Sequence, residues 1–265
     1  MSGARGWQAR ALRAGIVMAV FASILLLWAI FWDSTDFLPS PGSTWDTIRA
    51  LLGESETYDN LWATARRLIF GLAIGYVAGV AVAIVMASSR TAEAAFAPYV
   101  FVTITAPSLA VALISLMVFG LNEIGVYLAV AIVVFPFVVV SLTEALAGLD
   151  RSLQQMTHAY GFSRWERIRH QALPEIAPFL FAAFRNVHAL AWKIVVIVEL
   201  FSQQNGIGFQ YKEAYNFFEL ERLIAWSFFF MLMVLFVEYG LVRPFESFVF
   251  RWRRQPTATQ EAVAT

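Results

Sequence analysis

The sequence predicts an all-α integral membrane protein with a single membrane domain of six transmembrane helices. Hydrophobic residues make up 59% of the 265-residue chain and charged residues only 14%, whereas soluble domains carry about 25% charged residues. The mean hydropathy is +0.64. Apolar runs long enough to cross a bilayer, which takes about 20 residues, recur along the chain. We therefore expect most of its apolar surface to face lipid or other membrane helices.

Six runs have the length and composition of transmembrane helices. The third is expected to bend or break near Pro98 and Pro107, the fourth contains Pro136, and the sixth carries Glu238. We interpret residues 61–67 as a lead-in turn to the second run. The runs cover residues 14–32, 68–89, 94–121, 124–143, 178–202 and 223–242.

The first run is not expected to be a cleaved signal peptide. Three arginines precede it, as in a signal sequence. However, the run is longer than the usual signal core, and Phe31, Trp32 and Asp33 at its end do not form a small-residue cleavage site.

Arginine placement predicts the orientation of the chain. Positive residues concentrate on the cytoplasmic side of membrane proteins. Three arginine clusters fall on one side of a six-span chain, and that side is predicted to be cytoplasmic. Both tails, residues 1–13 and 251–265, are then cytoplasmic, and residues 14–250 form the membrane domain. The clusters are Arg5, Arg10 and Arg13; Arg151, Arg164, Arg167 and Arg169; and Arg251, Arg253 and Arg254.

Several function classes lack support in the composition and motifs. There are no cysteines and the formal net charge is zero, so neither thiol-ligated metal nor nucleic-acid binding is expected. His158, His170 and His188 share no metal-ligand spacing. We find no metalloprotease, hydrolase or P-loop motif, so no catalytic residues are predicted. Any ATP-driven activity would need a separate ATPase chain.

Gly71, Gly75 and Gly79 recur at intervals of four in the second run. Small residues at this spacing allow two membrane helices to approach closely. Two interpretations remain open at this point: static helix packing, or a surface that slides during transport.

The loop at residues 148–177 is long, polar and rich in arginine. Gly161 is expected to end one short helix, because glycine tolerates the positive φ that such a break requires. Ser163 and Glu166 have the spacing of a capping box for the next helix, which Pro174 is expected to end. That helix presents Trp and Arg, the residue types that anchor protein interfaces. The alternative is a basic helix lying at the lipid surface.

This loop resembles the cytoplasmic signature of ABC importer permeases: Glu-Ala-Ala, three residues, Gly, nine residues, Ile, one residue, Leu-Pro. Gly161, Leu173 and Pro174 match it without a gap. The triplet is replaced by Gln155, Met156 and Thr157, and Gln171 stands in place of the Ile.

Further segments resemble the nitrate/sulfonate/taurine-type permeases, and they occur in the same order. Residues 161–165 resemble a Gly-Ala-Ser-Arg-Trp run, and residues 38–41 resemble Leu-Pro-x-Pro. Glu199 and Leu200, followed by residues 206–208, resemble Glu-Leu followed by Gly-Leu-Gly. Phe119 and Gly120 lie where this group has Phe-Gly.

The resemblance implies a six-helix, type I importer-like permease with a cytoplasmic coupling helix. Its implied partners are a dimer of ATPase subunits, a second permease chain, identical in the simplest case, and an extracytoplasmic solute-binding protein. ATP and Mg²⁺ would bind to the ATPase, and this chain would need no cofactor of its own. The location implied is the bacterial inner membrane. The residues expected to couple to the ATPase are Gln155, Thr157, His158, Gly161, Phe162, Ser163, Arg164, Trp165, Arg167, Leu173 and Pro174.

The fifth run is the expected lining of the solute pathway. Ionisable residues inside a span usually face the bundle interior or a wet cavity, and this run contains several. The candidates are Arg185, His188, Trp192, Lys193 and Glu199. Lys193 has three open interpretations: it snorkels outward, it pairs across a dimer, or it attracts an anionic solute.

The resemblance implies a small anionic or zwitterionic solute, such as nitrate, a sulfonate, taurine or bicarbonate. A pyrimidine or vitamin precursor remains an alternative. A secondary transporter is a weaker alternative, because the chain shows no internal inverted repeat. A membrane enzyme would need a catalytic constellation that the sequence lacks.

Overall fold

The computed structural model describes residues 39–148, 155–157 and 159–250, together with isolated positions between 15 and 30. Every regular element in this part of the chain is helical. The α-helices are α1 (Pro41–Leu52), α2 (Ser55–Ser88), α3 (Arg90–Thr105), α4 (Ser108–Phe119), α5 (Glu123–Ala147), α6 (Arg164–Arg167), α7 (Leu173–Ser202), α8 (Ile207–Asn216), α9 (Leu220–Leu235) and α10 (Arg243–Val249). Two π-helical segments, Ile168–Ala172 and Phe236–Val242, join α6 to α7 and α9 to α10.

Within the described residues, four helical runs are long and apolar enough to cross a membrane. They are α2, α5, the run Arg164–Ser202 and the run Leu220–Val249. Helices α3 and α4 make a fifth if the bent pair counts as one span. The predicted span at residues 14–32 lies largely outside the described residues, so the total of six remains a prediction.

The third predicted span breaks at Pro107, as expected. Helices α3 and α4 meet at an angle of 105°. Ala106 is extended, with φ −66° and ψ 143°, because the ring of a following proline disfavours helical geometry. Pro98, by contrast, lies inside α3 without ending it.

The lead-in turn predicted at residues 61–67 is wrong. These residues belong to α2, which runs without interruption through 34 residues. No glycine or proline interrupts residues 55–70. The polar side chains that resembled a turn are accommodated because several are buried against protein, including Thr64 and Arg67.

The expectation that Pro174 ends the loop helix is also wrong. Helix α6 continues through the π segment Ile168–Ala172 into α7. The Leu173 N–H reaches back five residues to the carbonyl of Ile168. Such a π turn shifts the hydrogen-bond register, and Pro174 follows it directly as the second residue of α7.

The structure divides into two compact units. The first contains residues 39–57 and 211–229 of the described chain. In it Ser40 caps α1 by accepting a hydrogen bond from the N–H of Ser43 (3.0 Å), and Pro41 occupies the first turn. The Leu-Pro-x-Pro resemblance therefore corresponds to a helix start.

The second unit contains residues 58–210 and 230–250 and is organised around α5. Val126, Val130, Val134 and Val138, spaced four apart, have no exposed surface. Helix α5 packs against α4 and α7. Its Pro136 is buried inside the helix and does not end it. Residues 128–140 of α5 are apolar throughout, which fits a position surrounded by other helices.

The glycine ridge of α2 packs against α5. A Cβ atom at Gly71 would lie 2.7 Å from the Cβ of Val130, and one at Gly79 would lie 2.6 Å from the Cβ of Val138. At Gly75 it would lie 2.6 Å from the carbonyl oxygen of Ala131. Contacts this close favour static helix packing for the ridge.

We expect Gly75→Leu to destabilise the second unit, because the new side chain meets backbone atoms of α5 that cannot move aside. Overpacking of this kind costs about 1–3 kcal/mol. The measurement is the unfolding temperature of the detergent-solubilised protein. Ala78→Leu is the control, since it adds the same side chain at an exposed position of the same helix. Equal unfolding temperatures for the two variants would contradict the packing role.

Candidate functional site

The first short helix of the loop at residues 148–177 ends before Gly161, and α6 begins after it at Arg164. Residues 155–157 and 159 are helical, and Gly161 has φ +73°. The N–H of Phe162 donates to the carbonyl of Thr157 at 3.1 Å, which is the hydrogen bond of a Schellman motif. A Cβ at Gly161 would contact nothing within 4 Å. The position therefore requires glycine for its backbone conformation and not for space.

The predicted capping box is confirmed at the start of α6. The hydroxyl of Ser163 accepts from the N–H of Glu166 (3.3 Å), and the Glu166 carboxylate accepts from the N–H of Ser163 (2.8 Å). These two bonds satisfy backbone donors that the first turn of a helix leaves free. Gly161 and the box together fix the angle at which α6 leaves the preceding helix.

Five large apolar side chains of this loop are exposed. The side chain of Tyr160 is 78% exposed and that of Trp165 is 68% exposed. Met156, Phe162 and Ile168 are also exposed. We call these five residues the loop patch. Large apolar side chains grouped on a polar loop are typical of an interaction surface.

The remaining loop candidates have mixed environments. Gln155, Arg164 and Leu173 are exposed, Arg167 and Pro174 are half-buried, and His158 lies outside the described residues. Thr157 is buried and donates to the side-chain oxygen of Gln171 at 2.8 Å. Both residues depart from the family signature, and the structure pairs them with each other.

A buried charge cluster joins α2, α5 and the end of α7. Arg67 and Glu199 are both fully buried and form an ion pair with an N–O distance of 2.8 Å. Arg67 also binds Glu123 at the start of α5, at 2.5 Å. Arg66 approaches the same carboxylate at 3.2 Å, with about two fifths of its side chain exposed. We call Arg66, Arg67, Glu123 and Glu199 the arginine cluster; its two positive and two negative charges balance.

The arginine cluster also holds the connection between α7 and α8. Arg67 donates to the backbone carbonyl of Asn205 (2.9 Å), and Glu199 accepts from the N–H of Gly208 (3.0 Å). Thr64 donates to Glu199 at 2.9 Å and accepts from the N–H of Ile207 at 2.9 Å. The connection is thus closed by side chains of α2.

Gly206 has to be a glycine at this turn. Its φ is +101°, and a Cβ there would lie 2.6 Å from Glu199 and 2.7 Å from Arg67. The Gly206-Ile207-Gly208 run that resembled the family pattern is therefore a turn built around a buried ion pair.

The five predicted pathway residues of α7 do not share one environment. Glu199 belongs to the arginine cluster and has no exposed surface, so in this conformation it does not face a solute. Arg185 is half-exposed and paired with Glu238 at 2.6 Å. Glu246 lies 3.6 Å from Arg185 on its other side.

His188 and Trp192 are buried and bonded to each other. The indole N–H donates to Nε2 of the imidazole at 2.9 Å. Both line a cavity of about 630 Å³ whose other walls are mainly aliphatic and aromatic, including Leu72, Phe184 and Phe245. Tyr76 also lines it, and its hydroxyl donates to the carbonyl of Leu180 at 2.7 Å. A cavity so poor in free polar groups suits an apolar occupant better than a charged solute.

Lys193 lies on a different face of α7 from His188 and Trp192 and is exposed. No carboxylate pairs with it among the residues that the structure describes. In the same part of the chain no group of three or more His, Cys, Asp or Glu residues has the arrangement of a metal site.

Sequence reasoning missed Arg67, Glu123 and Thr64. Arg67 precedes an apolar run, where a charged residue ordinarily marks the membrane surface, and its partners lie 56 and 132 residues away. The one available signal was Glu199 itself, since a carboxylate inside an apolar span needs a positive partner.

Comparison with known proteins identifies a family and several relatives. A family model described as "Binding-protein-dependent transport system inner membrane component" matches residues 71–242. The putative aliphatic sulfonates transport permease protein SsuC of Bacillus subtilis is 24% identical over 94% of this chain and 88% of its own. The taurine transport system permease protein TauC of Escherichia coli is 25% identical, covering 83% of this chain and 84% of its own. The riboflavin transport system permease protein RibX of Chloroflexus aurantiacus is 24% identical, covering 69% and 72%.

We expect Arg67→Met to be strongly destabilising, because it leaves Glu199 buried without a positive partner. Removing one member of a buried pair costs about 3–5 kcal/mol. The control is Arg66→Met, which breaks a half-exposed contact worth about 0–1 kcal/mol. The stabilities of the two variants are compared with that of the wild type by titrating the detergent-solubilised proteins with SDS.

The double variant Arg67→Met/Glu199→Gln sharpens this test. Glu199→Gln removes the uncompensated charge and keeps an acceptor for Thr64 and Gly208. The double variant is therefore expected to recover part of the stability that Arg67→Met loses. If Arg67→Met lowers the stability no more than Arg66→Met does, the role given to the buried pair is contradicted.

Proposed function

The chain belongs to the family of binding-protein-dependent transport system inner membrane components, and we propose that it forms the solute pathway of an ATP-binding cassette importer, coupled to a separate ATPase. The observation that carries the coupling proposal is the loop patch, held in place by Gly161 and the capping box of α6. In this proposal the loop docks on a dimer of ATPase subunits, which bind ATP and Mg²⁺. A separate extracytoplasmic protein delivers the solute.

The continuity of α6, the π segment and α7 supports the coupling role. A force applied at Trp165 would be transmitted along one helical run, Arg164–Ser202, to the arginine cluster. Leu173 and Glu199 are separated by about 39 Å at 1.5 Å per residue. This distance exceeds the hydrocarbon thickness of about 30 Å, so the two ends of α7 reach opposite sides of the membrane.

The orientation we propose places the loop and both tails in the cytoplasm. The positive-inside distribution of arginine supports it. The arginine cluster and residues 203–206 then lie on the outer side, where a solute-binding protein docks. Two copies of the chain complete the pathway in this proposal, which makes the functional unit a homodimer in the inner membrane.

The proposed solute is a small anion or zwitterion of the sulfonate or taurine kind. Relatives named for aliphatic sulfonates and for taurine support this class. A relative named for riboflavin supports the alternative, a vitamin precursor or a pyrimidine. Among the five predicted pathway residues, Lys193 is the exposed cation without a partner in the described chain, and it favours an anion.

We expect Gly161→Val to uncouple ATP hydrolysis from transport. Valine resists the positive φ of residue 161, so the turn between the two loop helices would change. Both activities are measured on the complex in proteoliposomes, and ATP hydrolysis should persist while uptake falls. Gly161→Asn is the matched control, because asparagine tolerates this conformation. If Gly161→Val and Gly161→Asn give the same ratio of uptake to ATP hydrolysis, the turn has no role in coupling.

Trp165→Ala is expected to weaken attachment of the ATPase. Tryptophan anchors at protein interfaces cost about 2 kcal/mol or more when truncated, which is about a 30-fold loss of affinity. The measurement is titration of the purified permease with the ATPase. Ile124→Ala removes an exposed apolar side chain from the start of α5 and serves as the control. Unchanged affinity in Trp165→Ala would remove the loop patch from the interface.

A further inference from the structure

One face of α7 is left exposed along much of the helix, and its residues are not those of a lipid-facing surface. Phe179, Ala182, Asn186, Ala189 and Lys193 are exposed and recur at intervals of three and four, which places them on one stripe. We call them the α7 stripe. The opposite side of the helix, which includes Val187, Ala191 and Ile194, is buried in the second unit.

Lys193 lies deep in the span. It is about 30 Å from Leu173 and about 14 Å from Ser202 along the helix axis. It also lies about 12 Å beyond Arg185 and about 9 Å short of Glu199, and each of those charges has a partner within the chain. The ammonium group of Lys193 has none among the described residues, and an unpaired charge at this depth is costly against lipid.

The exposed face of α2 has the composition expected of a lipid-facing surface. Phe70, Ala73, Ile74, Val77 and Ala78 are all apolar. The α7 stripe differs because an amide and an ammonium group alternate with two alanines.

We propose that the α7 stripe faces a second copy of this chain across the solute pathway, and that the two Lys193 side chains select an anionic solute. This inference rests on the proposed importer function and assigns its solute class. Two like charges facing each other across a symmetry axis repel, unless an anion lies between them. The amide of Asn186, about 10 Å deeper along the helix, supplies uncharged hydrogen-bond donors on the way to the cytoplasm.

Cross-linking tests which surface covers the stripe. The chain contains no cysteine, so Ala189→Cys introduces a single thiol that leaves Lys193 in place. In native membranes with demonstrated ATP-driven uptake, a flexible bis-maleimide is expected to join two copies of Ala189→Cys. Ala78→Cys, on the exposed face of α2, is the control and should remain monomeric. Absence of dimer from Ala189→Cys in such membranes would mean that lipid covers the stripe, and the proposal would be overturned.

Charge variants test the selection of the anion. The complete complex, with its ATPase and binding protein, is reconstituted in liposomes and supplied with labelled ethanesulfonate, taurine or riboflavin. Lys193→Gln is expected to raise the KM for ethanesulfonate about tenfold, equivalent to about 1.4 kcal/mol. Lys193→Arg should restore the wild-type KM, and Lys212→Gln, which removes a lysine outside the candidate spans, should leave it unchanged.

The outcomes separate the two proposals. An unchanged KM in Lys193→Gln, or wild-type uptake of riboflavin alone, overturns the role of Lys193 and leaves the importer function intact. The importer function itself is overturned if none of the three probes is taken up in an ATP-dependent way and no ATPase binds to the purified chain.

Discussion

The buried ion pair between Arg67 and Glu199 is the interaction on which the part of the second unit around Gly206 depends. Neither side chain has exposed surface, and each is also hydrogen-bonded to the connection between α7 and α8. The pair therefore fixes the position of α2 relative to α7 and closes the turn at Gly206. Glu123 brings the start of α5 to the same point. A hydrophobic contact at this place would pack the helices, but it would not specify their register so strictly.

The two ends of α7 differ in how firmly they are held by the rest of the chain. At the end that carries Glu199, charges and backbone groups form their hydrogen bonds inside the chain. At the loop end, the helix passes through a π segment into α6, whose Trp165 is exposed. In the proposed mechanism, a partner bound at Trp165 would move α6 without first breaking the buried ion pairs at the other end of α7.

Apolar runs and local backbone chemistry could be predicted from the sequence, whereas long-range pairing could not. The break at Pro107, the positive φ at Gly161 and the capping box of Ser163 follow from residues adjacent in sequence, and all three are confirmed. Arg67 was missed because its role depends on Glu123 and Glu199, and spacing along the chain does not reveal that they meet. Pro174 was misjudged because a π turn, which no simple residue pattern announces, carries the helix past it.

The charged residues of α7 separate into those that hold the fold and one that the fold does not use. A helical wheel groups Arg185 with Glu199 and sets Lys193 on a second stripe, but it does not reveal which charges have partners. The structure gives Glu199 a buried arginine and Arg185 a carboxylate from the last helical run. Lys193, lying between them along the helix, receives neither. An ammonium group at this depth needs compensation from outside the described chain. In the proposed dimer, an anion passing between the two copies would supply it during transport.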